Sequence, residues 1–366
     1  MNYKNIMDKL DVKMEAMVKS IGDKSPHVAK EDKYDDMIIE WWTSGFWPGM
    51  LWIMNDVTKK DIYKKAAAPW TVKMAEILKK YHPEVHHDVG FQFLPTAVID
   101  YKITGDEEAK NIAYAAATFL AGRFNPVGFI RSWNGMGNQG YSIIDSTMNI
   151  SLLFWAAEEL KDDRFFNIAT MHASTIEKHF VRPDGTVNHI VVFDPKTGAV
   201  VEAKGGQGYG PESQWSRGQA WAIYGLANCY KYTKDEKYLN AAMRVANSFI
   251  AALPEDYVAY WDLRLPSVEG EPRDTSAAAC AASGLIEIAK HLPKEKGRVY
   301  GEKAEKILES LTDNYSKIDD LSHEAILISA TGHKPANSNV NVSIIYGDYF
   351  YLEAIAKLNG WNNNIF

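Results

Sequence analysis

Cysteine is nearly missing: Cys229 and Cys280 are the only two in 366 residues. That count gives no basis for a disulfide framework or a cysteine-held zinc centre, and both thiols, set among Ala, Leu and Tyr, read as small buried apolar groups. Positive charge is also in short supply. Lys and Arg number 40 against 47 Asp and Glu, a formal net charge of −7, which argues against nucleic acid or an anionic membrane surface as a partner. No run reaches the roughly 18 apolar residues that a membrane span needs. The opening stretch MNYKNIMDKLDVKMEAMVKS carries charges every few positions, which reads as an amphipathic helix rather than a signal peptide, so a reducing cytoplasm is the expected location. GMGNQG has neither the preceding strand nor the following helix that a phosphate-binding loop requires.

Aromatic residues, by contrast, are plentiful, at 12% with 11 Trp and 19 Tyr; they suit both a large core and a sugar-binding cleft, where a flat apolar ring with a polar handle is useful. One pattern recurs along the chain: an apolar helix, a short polar turn, then an amphipathic helix rich in Ala, Lys and Glu. The turns read MNDVTKKDIY, YKITGDEEAK, ELKDDRFFNI, KYTKDEKYLN and HLPKEKGRVY, spaced about 45 to 70 residues apart. Before them stand FWPGMLWIM, FQFLPTAVID, MNISLLFWAAEEL, GQAWAIYGLANCY and SAAACAASGLIEIAK, and YGDYFYLEAIAKL supplies a sixth. A helix that is apolar nearly all round must be buried, whereas partners such as DEKYLNAAMRVANSFIAAL keep one wet face. Six buried helices with outer partners, the N-terminal helix serving as the sixth, predict a closed all-α (α/α)6 barrel over residues 1–366 as one domain; the uneven spacing disfavours an open solenoid. Two long segments, 123–142 and 180–216, interrupt the pattern, and NHIVVFDPKTGAVVEA predicts a β-hairpin. Loops of this length in a compact domain are usually functional.

Polar residues gather just before each inner helix, at Thr43 and Ser44, Asp88, Asp145, Arg217, Asp274 and Thr275, and Asp348. Thr43, Asp274 and Asp348 read as helix N-caps. Asp145 fits that reading poorly, because it follows Ile143–Ile144 and precedes Met148–Asn149–Ile150. All inner helices of a closed ring run the same way, so Asp88 and Asp145 reach one mouth. There desolvation and mutual repulsion can hold one carboxyl protonated as a general acid, the tool for cleaving glycans or protonating a double bond. Six helix N-termini, Arg217 and His189 would make that mouth receptive to a carboxylate; for Arg217 an ion pair with a nearby acid, and for His189 a structural role, remain open. Trp42, Phe46, Trp47, Trp133, Trp215 and Trp221 are expected to wall the cleft. No metal or other cofactor is expected: His86, His87 and Asp88 are adjacent, a spacing that rarely faces one ion, and no His-x-x-x-His pair is present.

The segments WTSGFWPGMLW, HHDVGF, IIDSTMNISLLFWA, PDGTVNHIVVFDPKTG, GQGYGPESQWSRGQAW, DTSAAA and YGDYFYLEAI together resemble the unsaturated glucuronyl hydrolases of glycoside hydrolase family 88, in order from about residue 40 to 358. The resemblance implies a six-hairpin barrel and removal of a 4,5-unsaturated glucuronic acid from the non-reducing end of lyase-generated glycosaminoglycan fragments, by hydration of the vinyl ether. It implies that Asp145 protonates C4 and then activates water, with Asp88 in support. His189, Gln207, Arg217, Trp221, Trp42 and Phe46 fall on substrate-binding positions, Arg217 being the expected partner of the uronate carboxylate; His87, Trp133 and Ser338 join the expected binding set. Members acting on sulfated fragments tend to carry Ser and Lys before the last inner helix. Here GHKPANSNVNVSIIYGDY has Ser338 but no lysine after Lys334. An unsaturated rhamnogalacturonyl hydrolase is the near alternative. A sugar 2-epimerase would want catalytic histidines where this chain has aspartates, and a non-catalytic glycan-binding or scaffold protein is the alternative of another class. Oligomeric state is not legible.

Overall fold

The computed structural model describes residues 1–366. Its repeating unit starts from a local turn. An inner helix ends on a residue in the left-handed region, Lys59, Gly105, Lys161 or Lys234, and the very next residue is the N-cap of the outer helix. Three of those next residues, Asp106, Asp162 and Asp235, accept a hydrogen bond from the backbone N–H two positions on, satisfying a donor that the helix cannot. The polar turns legible in the sequence are therefore cap-to-cap reversals of about two residues, which force antiparallel pairs.

Twelve helices result. The outer set is α1 (Tyr3–Ile21), α3 (Asp61–Ala75), α5 (Glu107–Ala121), α7 (Asp163–His179), α9 (Glu236–Ala252) and α11 (Lys294–Asn314). The inner set is α2 (Phe46–Thr58), α4, α6 (Ser151–Leu160, entered through a turn at Ser146–Asn149), α8 (Ser216–Thr233), α10 (Thr275–His291) and α12 (Ile345–Leu358). Helix α4 runs Val89–Phe93, opens into a π-helical turn over Leu94–Val98, and resumes over Ile99–Thr104. Pro95 lies in the opened stretch, where its missing N–H and its ring disrupt the ordinary ladder. Each inner helix packs on the next, and α12 returns to α2, so the ring closes; α1 lies against α12, α2 and α3. Closure buries 102 apolar residues in one continuous cluster.

Strands occur at the mouth. The expected hairpin forms from Ile190–Phe193 and Val200–Lys204, and Tyr141–Ile143 adds to it antiparallel. A second sheet was not anticipated. It orders Lys33–Tyr34, Val28–Lys30, Ser338–Ile344 and Ala330–His333, so the segment before the last inner helix is a strand. Two of the three expected caps differ. Asp274 does cap α10, accepting from Ser276 and Ala277 N–H. Thr43 instead meets His27 Nδ1 at 3.2 Å. Asp348 sits inside the first turn of α12 and accepts from Ile326 N–H, Leu327 N–H and the Tyr34 hydroxyl, so its carboxylate ties the preceding loop to the barrel. No helix is long and apolar enough to cross a membrane.

Candidate active site

Two aspartates are brought together at the mouth by one asparagine and one glycine. Asn149 accepts from Phe91 N–H at 2.8 Å and donates its amide to Asp88 Oδ1 at 3.0 Å and to the Asp145 carbonyl at 3.1 Å. That clamp joins the start of α4 to the entry turn of α6. The approach is possible because residue 90 is glycine: a Cβ there would lie 2.5 Å from the Asn149 Cα. The β-sheet fixes the third member. Ile143 pairs with Ile190, and Ile144 N–H donates to the His189 carbonyl, which sets His189 Nε2 3.9 Å from Asp145 Oδ2.

These groups open into a cavity of about 670 Å3 lined by 21 residues, among them Trp42, Asp88, Trp133, Asp145, Gln207, Arg217 and Ser338. The other expected residues lie behind the wall. Phe46, His87 and Trp221 are fully buried and His189 almost so. Of the six rings expected to wall the cleft, Trp42 and Trp133 line it, whereas Phe46, Trp47, Trp215 and Trp221 are core. The reason is layered packing: Phe46 and Phe91 stack behind Trp42, and Trp221 lies behind Phe91. Trp215 supports rather than faces, its ring 4.2 Å from that of His189 and 4.7 Å from the Arg217 guanidinium. His27, Trp41, His86, His333, Asn339 and Tyr346 line the cavity and were missed. Their positions depend on the unanticipated sheet and on loop reversals that leave no periodic signal.

Electrostatics separate the two carboxyls. Burial pushes Asp145 up to about 6, against the opposing pull of Arg217. Burial and then repulsion from Asp145 raise Asp88 well above the usual carboxylate range. His189 is pushed down to about 3 by burial and by Arg217, which keeps it neutral; its Nδ1 accepts from Gln207 N–H at 2.9 Å, leaving the proton on Nε2, toward Asp145. Asp145 Oδ2 and His189 Nε2 have no protein partner despite their burial. A buried polar atom without a partner is costly, and of the two only Asp145 lines the cavity, with His189 Nε2 directly behind it. Arg217 is more committed than expected. Its Nη1 donates to Asp274 at 2.9 Å and to the Thr331 carbonyl, and its Nη2 to Gln207 Oε1 and the Gly332 carbonyl. Of the two readings of Arg217 the ion pair is present, and the residue also lines the cavity. A two-pronged grip on a carboxylate would require release of Gln207 or Gly332.

A closed (α/α)6 barrel whose mouth holds an elevated carboxyl, a second acid and aromatic walls has the build of a glycan-cleaving enzyme. Residues 12–362 match the model of Glycosyl Hydrolase Family 88. An unsaturated glucuronyl hydrolase of Bacillus sp. (strain GL1) is 35% identical, with 93% of this chain and 92% of that protein covered. An unsaturated chondroitin disaccharide hydrolase of Streptococcus pneumoniae is 34% identical over 88% of this chain and 83% of its own. Among solved structures, the unsaturated glucuronyl hydrolase of Bacillus sp. GL1 superposes with a TM-score of 0.94, at 33% identity and covering 98% of this chain and 97% of that one. One described as specific for heparin gives 0.91 at 31% identity, covering 98% of each chain. The chain belongs to glycosyl hydrolase family 88.

Proposed function

We propose that this glycoside hydrolase removes a 4,5-unsaturated glucuronic acid from the non-reducing end of lyase-generated glycosaminoglycan fragments by hydrating its double bond. The observation that carries the reading is Asp145: a buried carboxyl raised to about 6, with an unpartnered oxygen, on the wall of the cavity. A proton donor that must later act as base works best with a pKa near the working pH. In the proposed step the Asp145 O–H gives its proton to C4, and the double-bond electrons form the new C–H bond. Positive charge develops at C5 and is shared by the ring oxygen. Water adds at C5 and returns a proton to the Asp145 carboxylate, and the resulting hemiketal opens and releases the aglycone. Asp88, its carboxyl pushed above the usual range by burial and by Asp145, hydrogen-bonds a sugar hydroxyl. Trp42 and Trp133 offer ring faces, Gln207 and Ser338 offer polar contacts, and His189 stands behind Asp145 with its Nε2 toward that carboxyl. Arg217 supplies fixed positive charge toward the uronate carboxylate. Phe46, His87 and Trp221 serve from behind by holding the contacting groups in place. Both cysteines are free and buried, which supports residence in a reducing cytoplasm.

The cavity lining contains one arginine and no lysine, and Lys334, next in the chain to the lining residue His333, lies 4.0 Å from Glu271. That supports a preference for unsulfated over sulfated disaccharides. The test follows the double bond's ultraviolet absorbance, with chelator present, on unsaturated disaccharides from hyaluronan, chondroitin, sulfated chondroitin, heparin and rhamnogalacturonan. Loss with glucuronyl substrates that is abolished by Asp145→Asn is expected, with a higher kcat/KM for the unsulfated members. Absorbance that stays constant throughout, with folded protein, would sink the reading.

A further inference from the structure

His86, His87 and Asp88 are consecutive, yet the chain bends at His86 and turns through His87 and Asp88 before α4 begins. The bend stacks the two imidazoles, 4.9 Å apart and within 16° of parallel. One donor atom from each residue falls within 4.8 Å of the other two. His87 Nε2 stands 3.2 Å from Asp88 Oδ1, and His86 Nδ1 stands 3.5 Å from Asp88 Oδ2. Ligands around a tetrahedral zinc at about 2.0–2.1 Å are separated from one another by roughly 3.4 Å; the two His–Asp separations, one to each carboxyl oxygen, are near that value, and rotation of one imidazole out of the stack brings both lone pairs to one ion.

The tautomer strengthens the case. His87 Nδ1 lies 3.1 Å from the Ser132 carbonyl, an acceptor that obliges Nδ1 to carry the proton. Nε2 therefore presents a lone pair to Asp88 Oδ1, a contact closed either by a proton on the carboxyl or by a cation that replaces it. An imidazole whose far nitrogen donates to a backbone carbonyl is also the usual arrangement around a bound metal. Neither His86 Nδ1 nor His87 Nε2 has a hydrogen-bond partner, and both atoms are buried. His86 and Asp88 line the cavity, which provides an entry route and an open coordination position. The opposing charge is Arg123, whose side chain donates to the Arg131 and Ser132 carbonyls and to Asn134 Oδ1. Asp88 and Asp145 stand against it.

We propose that His86, His87 and Asp88 form an inhibitory site for one divalent transition-metal ion, such as Zn2+, which engages Asp88 and so competes with substrate. Two imidazoles and a carboxylate favour such an ion over Mg2+ or Ca2+, which prefer all-oxygen sites. The inhibitory part rests on the proposed role of Asp88; the binding part does not.

The test uses the whole chain, freed of metal with chelator and then dialysed. Titration with Co2+, read by its visible absorption, is expected to reach one ion per chain, and Zn2+ is expected to displace it. His86→Gln and His87→Gln should each weaken binding at least tenfold, whereas His82→Gln, at a half-buried neighbour outside the trio, should not. Anomalous scattering from a Co2+-soaked crystal should place the ion between the two imidazoles and Asp88, a readout that does not need the variants to fold. Zn2+ should slow turnover reversibly, with saturating substrate protecting. Absence of bound Co2+, binding that survives His86→Gln, or an ion located elsewhere would overturn the proposal. Binding without any activity on the disaccharides would retain the site and remove the functional reading instead.

Discussion

Asp145 carries two opposing demands. Catalysis needs a carboxyl that is protonated part of the time at working pH, and burial supplies that by making the charged form costly. Its rise from 3.8 to about 6 corresponds to about 3 kcal/mol against ionisation. Because the folded value lies above the unfolded one, this group's contribution to stability is intact below about pH 4 and is lost as pH rises through about 6. Asp145→Asn keeps the shape of the neutral acid and removes that penalty. Thermal unfolding should therefore rise by a few degrees at pH 8 relative to the native chain, with no difference at pH 3.5; equal shifts at both pH values would contradict the assignment. The same variant should lose at least 1,000-fold in kcat/KM. In the unaltered protein kcat/KM should fall as pH rises through about 6, because the free enzyme then loses its donor proton; a flat profile between pH 5 and 8 would place the acid elsewhere.

Among the elements, the decisive contact is α4 against the entry turn of α6. Gly90 allows the backbones to meet and Asn149 converts their meeting into a fixed distance between two acids. Gly90→Ala would push a methyl group to within 2.5 Å of the Asn149 Cα and carbonyl oxygen, where backbone must yield. Overpacking of this kind costs about 1–3 kcal/mol. Denaturant titration should show that loss, and kcat should fall more than the stability loss explains, because Asp88 and Asp145 separate. A variant with unchanged kcat would show that the clamp does not set the geometry.

Across the whole molecule, ring closure is marked by a buried ion pair at the end of α12 remote from its N-terminal, mouth-facing end. Lys357 and Glu353 are both fully buried, 3.2 Å apart, with Tyr224 from α8, Ser283 from α10 and Tyr349 hydrogen-bonded to them. Removing one charge strands the other, at about 3–5 kcal/mol. Glu353→Met and Lys357→Met should each lower stability by that order, whereas the double variant should recover most of it; additive losses in a denaturant-based double-mutant cycle would refute the coupling. We also propose that residues 1–366 unfold as one unit, since the same core cluster runs from Ile6 to Phe366.

The barrel was legible in advance because its code is local and repeated. Apolar inner helices, amphipathic outer ones and polar turns recur along the chain, and each turn fixes an antiparallel pair without reference to distant residues. That Asp88 and Asp145 reach one cavity was legible for a related reason: both stand at the starts of inner helices, and all of those starts face the same end of a closed ring. Tertiary structure decided the rest. Phe46 and Trp221 are as aromatic as Trp42 and Trp133, yet rank within the packed layers, which depends on non-local neighbours, separates core from wall. Arg217 could pair or bind by sequence alone; the approach of Gln207 and the Thr331–Gly332 backbone engaged its donors. His86 and His87 looked unsuited to a common ion because neighbouring side chains normally diverge. A bend at His86 and a carbonyl from Ser132 turned them toward Asp88, and such convergence of adjacent residues depends on where the surrounding chain leads the backbone, which no residue pattern records.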